Sequence, residues 1–338
     1  MKTLVSLGDQ SRTAYLRQAN HLLKSRLAVL VQEATTGLKS DIPAAMQGNM
    51  SRITQVETRL NTLAAYHQNT SLAEGEFSAL QEAMGAIETI SLNLSPHLQA
   101  AGATADETSV TLRSTEAKED FQTVIRMINT NAGGRYVLSG TAVQTQPLSD
   151  AAEIMADLKV AISGAASPGE MIARVFEWFD APAGGGGFVD AHYRGSDQGT
   201  TTGVSEQVTV RNDTRASDGA FRDVLKGLAL ATLAGDSDIT SDSAGRALLM
   251  REGGKALAKG TYEMTLSRAG VGLKQELIEQ AAARNASERT SLAIARSDLL
   301  GADPYETSSA LTQTEANLQN LYALTARLSR LSLTEYLR

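Results

Sequence analysis

At 338 residues the chain has room for two or three domains, and 42% hydrophobic residues exclude a disordered polypeptide. Only 4% of residues are aromatic, with a single Trp, so the apolar surface is mostly Leu, Ala, Val and Ile, which suits narrow helix seams better than a large globular core. A net charge of −7 without a basic block opposes a nucleic-acid or anionic-membrane partner, and the absence of Cys removes disulfides, thiolate metal sites and cysteine nucleophiles.

The N-terminal MKTLVSLGDQSR offers too short an apolar run for a signal peptide, and no stretch of eighteen apolar residues is present to span a membrane. A first helix is predicted from about Asp9, as N-cap, to Thr36, with Gly37 as its stop. Its stripe is Leu16, Leu23 and Leu30, joined by Ala19, Leu27 and Ala34. Gly37 to Gly48 reads as a turn or extended connection.

A second helix starts near Asn49 and carries the clearest periodicity. Val56, Leu63, Thr70, Phe77 and Met84 fall at a positions, and Tyr66, Ala73, Leu80, Ile87 and Leu94 at d. This seam is read as intramolecular core, and Pro96 as its end. After a turn over Gly102 to Ser109, a third helix is expected from Leu112 to Thr130, with Phe121, Val124, Ile125 and Ile128 as its stripe.

From Gly133 to about Gly245 the character changes. Arg135 to Leu138 and Val204 to Val210 read as strands, Ala151 to Leu158 and Met171 to Phe179 as short helices, and Gly184 to Gly187 as a flexible loop. Helical sequence returns with Gly245 to Ala258, then Tyr262 to Leu300 with Leu266, Val271, Leu277, Ile278 and Leu292 as buried candidates. Asp303 and Pro304 form the N-cap and first position of a last helix, whose stripe is Leu311, Leu318, Leu321, Leu324, Leu328 and Leu331.

The expected fold is mainly α: an elongated antiparallel helical bundle or coiled coil built from both chain ends, with a small α+β insertion domain in the middle. The expected divisions are an N-terminal assembly helix and connection (1–44), two halves of a helical rod (45–132 and 246–302) flanking the insertion (133–245), and a C-terminal assembly helix (303–338). Two lone terminal helices bury little area for their ordering cost. Leu16, Leu23, Leu27, Leu30, Leu318, Leu321, Leu324, Leu328, Leu331 and Leu333 are therefore read as subunit-interface residues.

No constellation of catalytic, cofactor-binding or metal-binding residues emerges. His21, His67, His97 and His192 stand in no ligand spacing and read as exposed or bundle-surface residues. Gly184 to Gly187 and Arg251 to Lys255 lack the signature of a phosphate loop. Asp236, Asp238 and Asp242 alternate in the manner of calcium ligands but lack the turn Gly and closing Glu of an EF-hand.

Three segments carry a family resemblance. Glu33 to Ser40 (EATTGLKS) sits where the flagellin and hook-associated protein superfamily breaks after its first helix. Asn129 to Thr141 (NTNAGGRYVLSGT) is similar to a segment of the superfamily's hook–filament junction members, and Leu331 to Leu337 (LSLTEYL) resembles their C-terminus. The resemblance implies a non-enzymatic subunit of the extracellular bacterial flagellum, exported without a cleaved signal peptide. It implies self-association into a ring, contacts with a neighbouring hook-associated protein and with flagellin through the terminal helices, and an export chaperone. A flagellin filament subunit stays open as an alternative, as does, from a different class, a soluble coiled-coil adaptor or binding module.

Overall fold

The computed structural model describes residues 7–45, 50–237, 239 and 242–336, with side chains for all of these except 7–10, 45 and 329–336. The chain divides into two compact units. The terminal unit comprises Met1–Leu63 and Ser287–Arg338, and the inner unit Ala64–Ala286. The fold is mainly α, with two small two-stranded sheets among the described residues.

The chain begins with α1 (Leu7–Thr36), α2 (Ile42–Ala45) and α3 (Ser51–Thr104). Helix α1 is already formed at Leu7, so Asp9 lies inside it and is not its N-cap. Gly37 stops it as expected, at φ +69 with its N–H bonded to Glu33 O at 2.8 Å.

The heptad seam of α3 is the core that the spacing predicts. Leu63, Thr70, Ala73, Phe77, Leu80, Met84, Ile87 and Leu94 are buried, and Val56 and Tyr66 half-buried. Pro96 does not end the helix, which continues to Thr104. Proline removes one hydrogen bond and crowds the preceding turn at a cost of about 3 kcal/mol, which tertiary contacts must offset for the helix to continue. Here Leu94 and Leu98 are buried on either side, and Ser95 Oγ donates to Gly254 O at 2.8 Å. The end comes at Ala105, in the left-handed region at φ +53. Asp106 then caps α4 (Glu107–Ile128) by accepting from Ser109 N, so α4 starts several residues before the expected Leu112. Its predicted stripe of Phe121, Val124, Ile125 and Ile128 is buried.

Next comes a hairpin of β1 (Asn131–Ala132) and β2 (Arg135–Tyr136), antiparallel with Ala132 opposite Arg135. Its two loop residues, Gly133 and Gly134, have φ +58 and +83, as a type I′ turn requires. Asn131 Oδ1 accepts from Gly134 N at 2.8 Å and closes the turn. Asn129 clamps the chain beyond it: Oδ1 accepts from Leu148 N at 2.9 Å and Nδ2 donates to Leu148 O at 3.1 Å. The Asn129 to Thr141 segment is thus a corner with every special residue assigned a backbone task.

The helices α5 (Ala151–Ala161), α6 (Pro168–Asp180) and α7 (Phe188–His192) follow. The run Gly184 to Gly187 is pinned, contrary to the flexible loop expected, because Asp190 accepts from Gly184 N at 2.8 Å and Gly186 N at 2.6 Å. Those two hydrogen bonds hold the Asp190 carboxyl below its ordinary range. Strands β3 (Thr200–Gly203) and β4 (Thr209–Asn212) pair antiparallel, with Thr202 opposite Val210. The single strand expected from Val204 to Val210 is therefore the bend of a hairpin. Val204 and Val210 are both buried, but on opposite sides of a turn in which Val204 N bonds Val208 O.

Helix α8 (Gly219–Leu233) is buried on nearly every face and packs on α4 and α6. Helix α9 (Ser243–Leu300) runs unbroken where two helices were expected. Gly253 is a packing residue: a Cβ on Gly227 of α8 would lie 2.7 Å from Gly253 O, and one on Gly253 2.8 Å from Gly227 O. The close approach of the two backbones offsets the roughly 1 kcal/mol each glycine costs a helix. The buried face of α9 holds Met250, Leu257, Met264, Val271 and Ile278, seven residues apart. Val271 and Ile278 are thus as predicted and Leu292 is half-buried, but Leu266 and Leu277 are exposed at 57% and 47% because they lie off that heptad.

The inner unit also buries charge. Lys226, 1% exposed, donates to Asp180 Oδ1 and Oδ2 at 2.8 and 2.9 Å and pairs with Asp223, which in turn receives Lys259 at 2.9 Å. On α3, burial pushes the Glu88 carboxyl up, but hydrogen bonds from Thr265 and Arg268 outweigh it and hold the group below its usual value.

Candidate subunit interface

The last helix, α10 (Pro304–Tyr336), begins as the sequence predicts. Asp303 Oδ1 accepts from Tyr305 N at 2.8 Å and Glu306 N at 3.1 Å, and Pro304 occupies the first position. A clasp joins its start to the end of α1: Lys39 N donates to Leu300 O at 2.8 Å and Ala302 N to Gly37 O at 3.0 Å, around an antiparallel bridge between Leu38 and Gly301. From this clasp α1 and α10 pack on each other in antiparallel sense.

The predicted interface residues meet on this seam to different degrees. Leu30, Leu318 and Leu321 are buried, while Leu16, Leu23, Leu27 and Leu328 are half-buried. Leu324 lies off the seam at 53% exposure, and the side chains of Leu331 and Leu333 fall outside the described residues. The seam is thin and partly polar, since Thr307 and Thr314 occupy the heptad positions before Leu321 and are buried with it. Ala34, assigned to the α1 stripe, is exposed.

A second stripe on α1 escaped the sequence reading. Tyr15, Leu22 and Val29 stand seven apart, one residue ahead of Leu16, Leu23 and Leu30, and are exposed at 72%, 60% and 39%. Their spacing was the available signal. It was masked by the neighbouring leucines, which satisfy the same period with stronger residues. Tyr322 at 47% and Leu324 add exposed apolar surface on α10. A row of exposed apolar residues at helical period marks a candidate face for a partner, and α9 of the inner unit carries one too, in Tyr262, Leu266, Leu273 and Leu277.

Ion pairs bind the roots of the terminal unit. Arg59 Nε donates to Glu288 Oε1 at 2.6 Å, and Arg296 pairs with Glu57 at 2.5 Å. The hydrogen bond from Arg59 outweighs the small effect of burial and lowers the Glu288 carboxyl.

Of the histidines weighed for chemistry, His21 lies on α1 itself. His21, His67 and His97 are exposed, whereas His192 is buried in the inner unit, contrary to expectation, against Trp178 and Phe188 at centroid distances of 5.6 and 6.1 Å. The helix period of α7 turns its last residue inward beside Phe188, so His192 completes the aromatic cluster. Burial holds it below its ordinary pKa despite the Asp157 carboxylate 3.4 Å from Nε2. Among the described residues no group of His, Asp or Glu is arranged to hold a metal ion, and Asp238 lies outside them. Among the described residues, too, no helix is long and apolar enough to cross a membrane.

No family model matches the sequence. No curated protein matches it either. Among solved structures, the fold is similar to that of FlgL from Bacillus cereus, with a TM-score of 0.50 and 12% identity over 72% of this chain and 98% of that one. Two further structures are similar: a protein assigned as flagellar hook-associated from Vibrio parahaemolyticus (TM-score 0.49, 11% identity, 73% and 95% covered) and hook-associated protein-3 from Legionella pneumophila (0.43, 12%, 77% and 99%). At such identities the likeness is one of fold, and it meets the resemblance carried by Asn129 to Thr141 at that level.

Proposed function

We propose that this chain is a structural, non-catalytic subunit of the bacterial flagellum, placed at the junction between hook and filament. The observation that carries the reading is the fold shared with Bacillus cereus FlgL along 98% of that chain. The local likeness of Asn129 to Thr141 favours a junction subunit over a filament subunit.

The mechanism is assembly. The α1/α10 seam satisfies Leu30, Leu318 and Leu321 within one chain, while Tyr15, Leu22 and Val29 remain for a neighbour. A head-to-tail contact repeated around an axis closes a ring or continues as a tubular layer. The helix pair of each subunit then packs on that of the next, and the neighbours are copies of the chain, an adjoining hook-associated protein on one side and flagellin on the other. A chaperone covers the terminal stripes until assembly.

The test is deletion of the gene in the bacterium that carries it. Hooks should remain without filaments, with flagellin released into the medium, and the full-length gene should restore filaments. Normal filaments in the deletion strain would overturn the junction role.

A further inference from the structure

In the inner unit a groove of about 690 Å³ is lined by β3, by Ala132 to Val143 of the β1–β2 corner, and by Asn69 to Glu76 of α3. Its size is that of a ligand or peptide cleft. All four residues of β3, Thr200 to Gly203, line it. Successive strand residues point to opposite faces, so a groove touched by four in a row runs along the strand's edge.

The register identifies what that edge offers. Val204 N donates to Val208 O at 2.9 Å, which makes Val204 and Val208 a hydrogen-bonded pair at the closed end of the hairpin. Alternation makes Thr202 with Val210 and Thr200 with Asn212 the next bonded pairs, and turns the backbone groups of Thr201 and Gly203 away from β4. A separate contact agrees: Gly203 O accepts from Asn69 Nδ2 of α3 at 2.9 Å. Among the described residues β3 pairs only with β4, so the N–H and C=O of Thr201 and the N–H of Gly203 face the groove without a strand beside them.

Folded proteins blunt open edges by keeping them short or by placing charges, Pro or a bulge there. The strand β3 is short, but Thr-Thr-Thr-Gly carries no charge and no Pro to repel a further strand. The groove also displays Leu72, 68% exposed, and half-buried Val143 lines it too. Backbone groups along one wall and apolar side chains beside them match a polypeptide in extended conformation, with main-chain bonds to the edge and alternate side chains on the apolar surface.

We propose that this groove binds an extended segment of another protein, which adds to β3 as a third strand through Thr201 and Gly203 and seats an apolar side chain on Leu72. A second copy of this chain is a poor occupant. It would bring its own α3 and β1–β2 corner to an edge already lined by α3, through Asn69 on Gly203 O, and by that corner.

The experiment titrates the isotope-labelled full chain with the capped peptide Ac-KTVTVTK-NH2 at millimolar concentration and follows backbone amides. The Thr201 and Gly203 resonances should move, and their hydrogen exchange should slow by about tenfold or more as the edge becomes paired. The same peptide N-methylated at alternate residues, which cannot pair, should do neither. Thr201→Pro, which removes the outward N–H without touching a β3–β4 bonded pair, should weaken binding by about tenfold. Should that variant fail to fold, the N-methylated peptide decides the matter on the unaltered protein. Peptide binding that leaves Thr201 and Gly203 unmoved, equal binding by the N-methylated peptide, or no binding at all would overturn the proposal. So would slowed exchange at Thr201 in concentrated protein without peptide, which would assign the edge to a second copy.

Discussion

The two units bury their hydrophobic residues in different ways. In the inner unit α8 is covered on nearly every side, glycines let backbones approach within van der Waals contact, and even Lys226 and Asp223 are buried as a pair. In the terminal unit α1 and α10 share one thin seam interrupted by Thr307 and Thr314, and a full heptad row stays in solvent. A domain that folds alone looks like the first, because its ordering entropy must be offset within its own surface. Helices that complete their burial on a neighbour look like the second. On the proposed function stability belongs to the first unit and assembly to the second, and each prediction below is a way to break that separation.

Deleting Leu318–Arg338 should have the largest effect on assembly and little on the inner unit. The truncated chain should retain the cooperative melting of residues 64–286 and lose incorporation into polymer ends, measured by calorimetry and by sedimentation with assembled partners. Collapse of the entire melting transition would show that the units are not separable and favour an ordinary intramolecular bundle.

Single substitutions should then differ by unit. Asp223→Ala leaves the buried Lys226 with only Asp180, and breaking a buried charge pair typically costs about 3–5 kcal/mol. Leu321→Ala, on a seam with exposed surroundings, should cost about 1–2 kcal/mol, below the usual range for a fully enclosed leucine. Denaturant midpoints measure both, and equal costs would contradict the difference in packing. Leu22→Ser should change stability by no more than about 0.5 kcal/mol, as an exposed position does, while weakening assembly by about tenfold. A loss of stability without loss of assembly would place Leu22 in the subunit's own core.

What the sequence revealed follows the same division. Periodic seams on the surface of one helix were readable: Val56 to Leu94, Phe121 to Ile128, and the cap at Asp303 all stand where spacing and capping chemistry put them. Helix α8 was invisible because a helix buried all round has no amphipathic period, and its GAFRDVLKGLALATL resembles any apolar run. The heptad from Met250 to Ile278 was hidden by Leu266 and Leu277, exposed leucines that compete for the same reading. Pro96 and the gap expected between Ala258 and Tyr262 are breaks only by local rule, and in each case a neighbouring helix supplies the contact that overrides it, Gly254 O for Ser95 and Val224 of α8 against Gly260. Of the candidate interface, the seam leucines were legible, but which of them turn inward depends on the partner helix, and that information is not local.

The smallest effects concern pH, and they belong to the inner unit. Burial acts on two of its groups of opposite charge type. His192 is held below its ordinary pKa, so its contribution to stability is present above the unfolded value near 6.5 and is lost as pH falls through the folded one. Asp120 is pushed the other way, to about 6, by burial first and then by the neighbouring Glu116 and Glu119. The folded state therefore binds the Asp120 proton more tightly than the unfolded chain does, and stability present below pH 3.8 is lost as pH rises through about 6. At neutral pH Asp120 carries a charge that its surroundings resist. Asp120→Asn removes that charge and should stabilise the inner unit at pH 7, by less than ~1 kcal/mol because solvent still screens a group that is only half-buried. At pH 4 the gain should vanish, since the folded wild type is then protonated. Melting curves of the two proteins across pH 4 to 8 should converge at the acid end and separate above about 6. A gain of equal size at every pH would trace the effect to helix propensity in α4 and not to the repulsion among Glu116, Glu119 and Asp120.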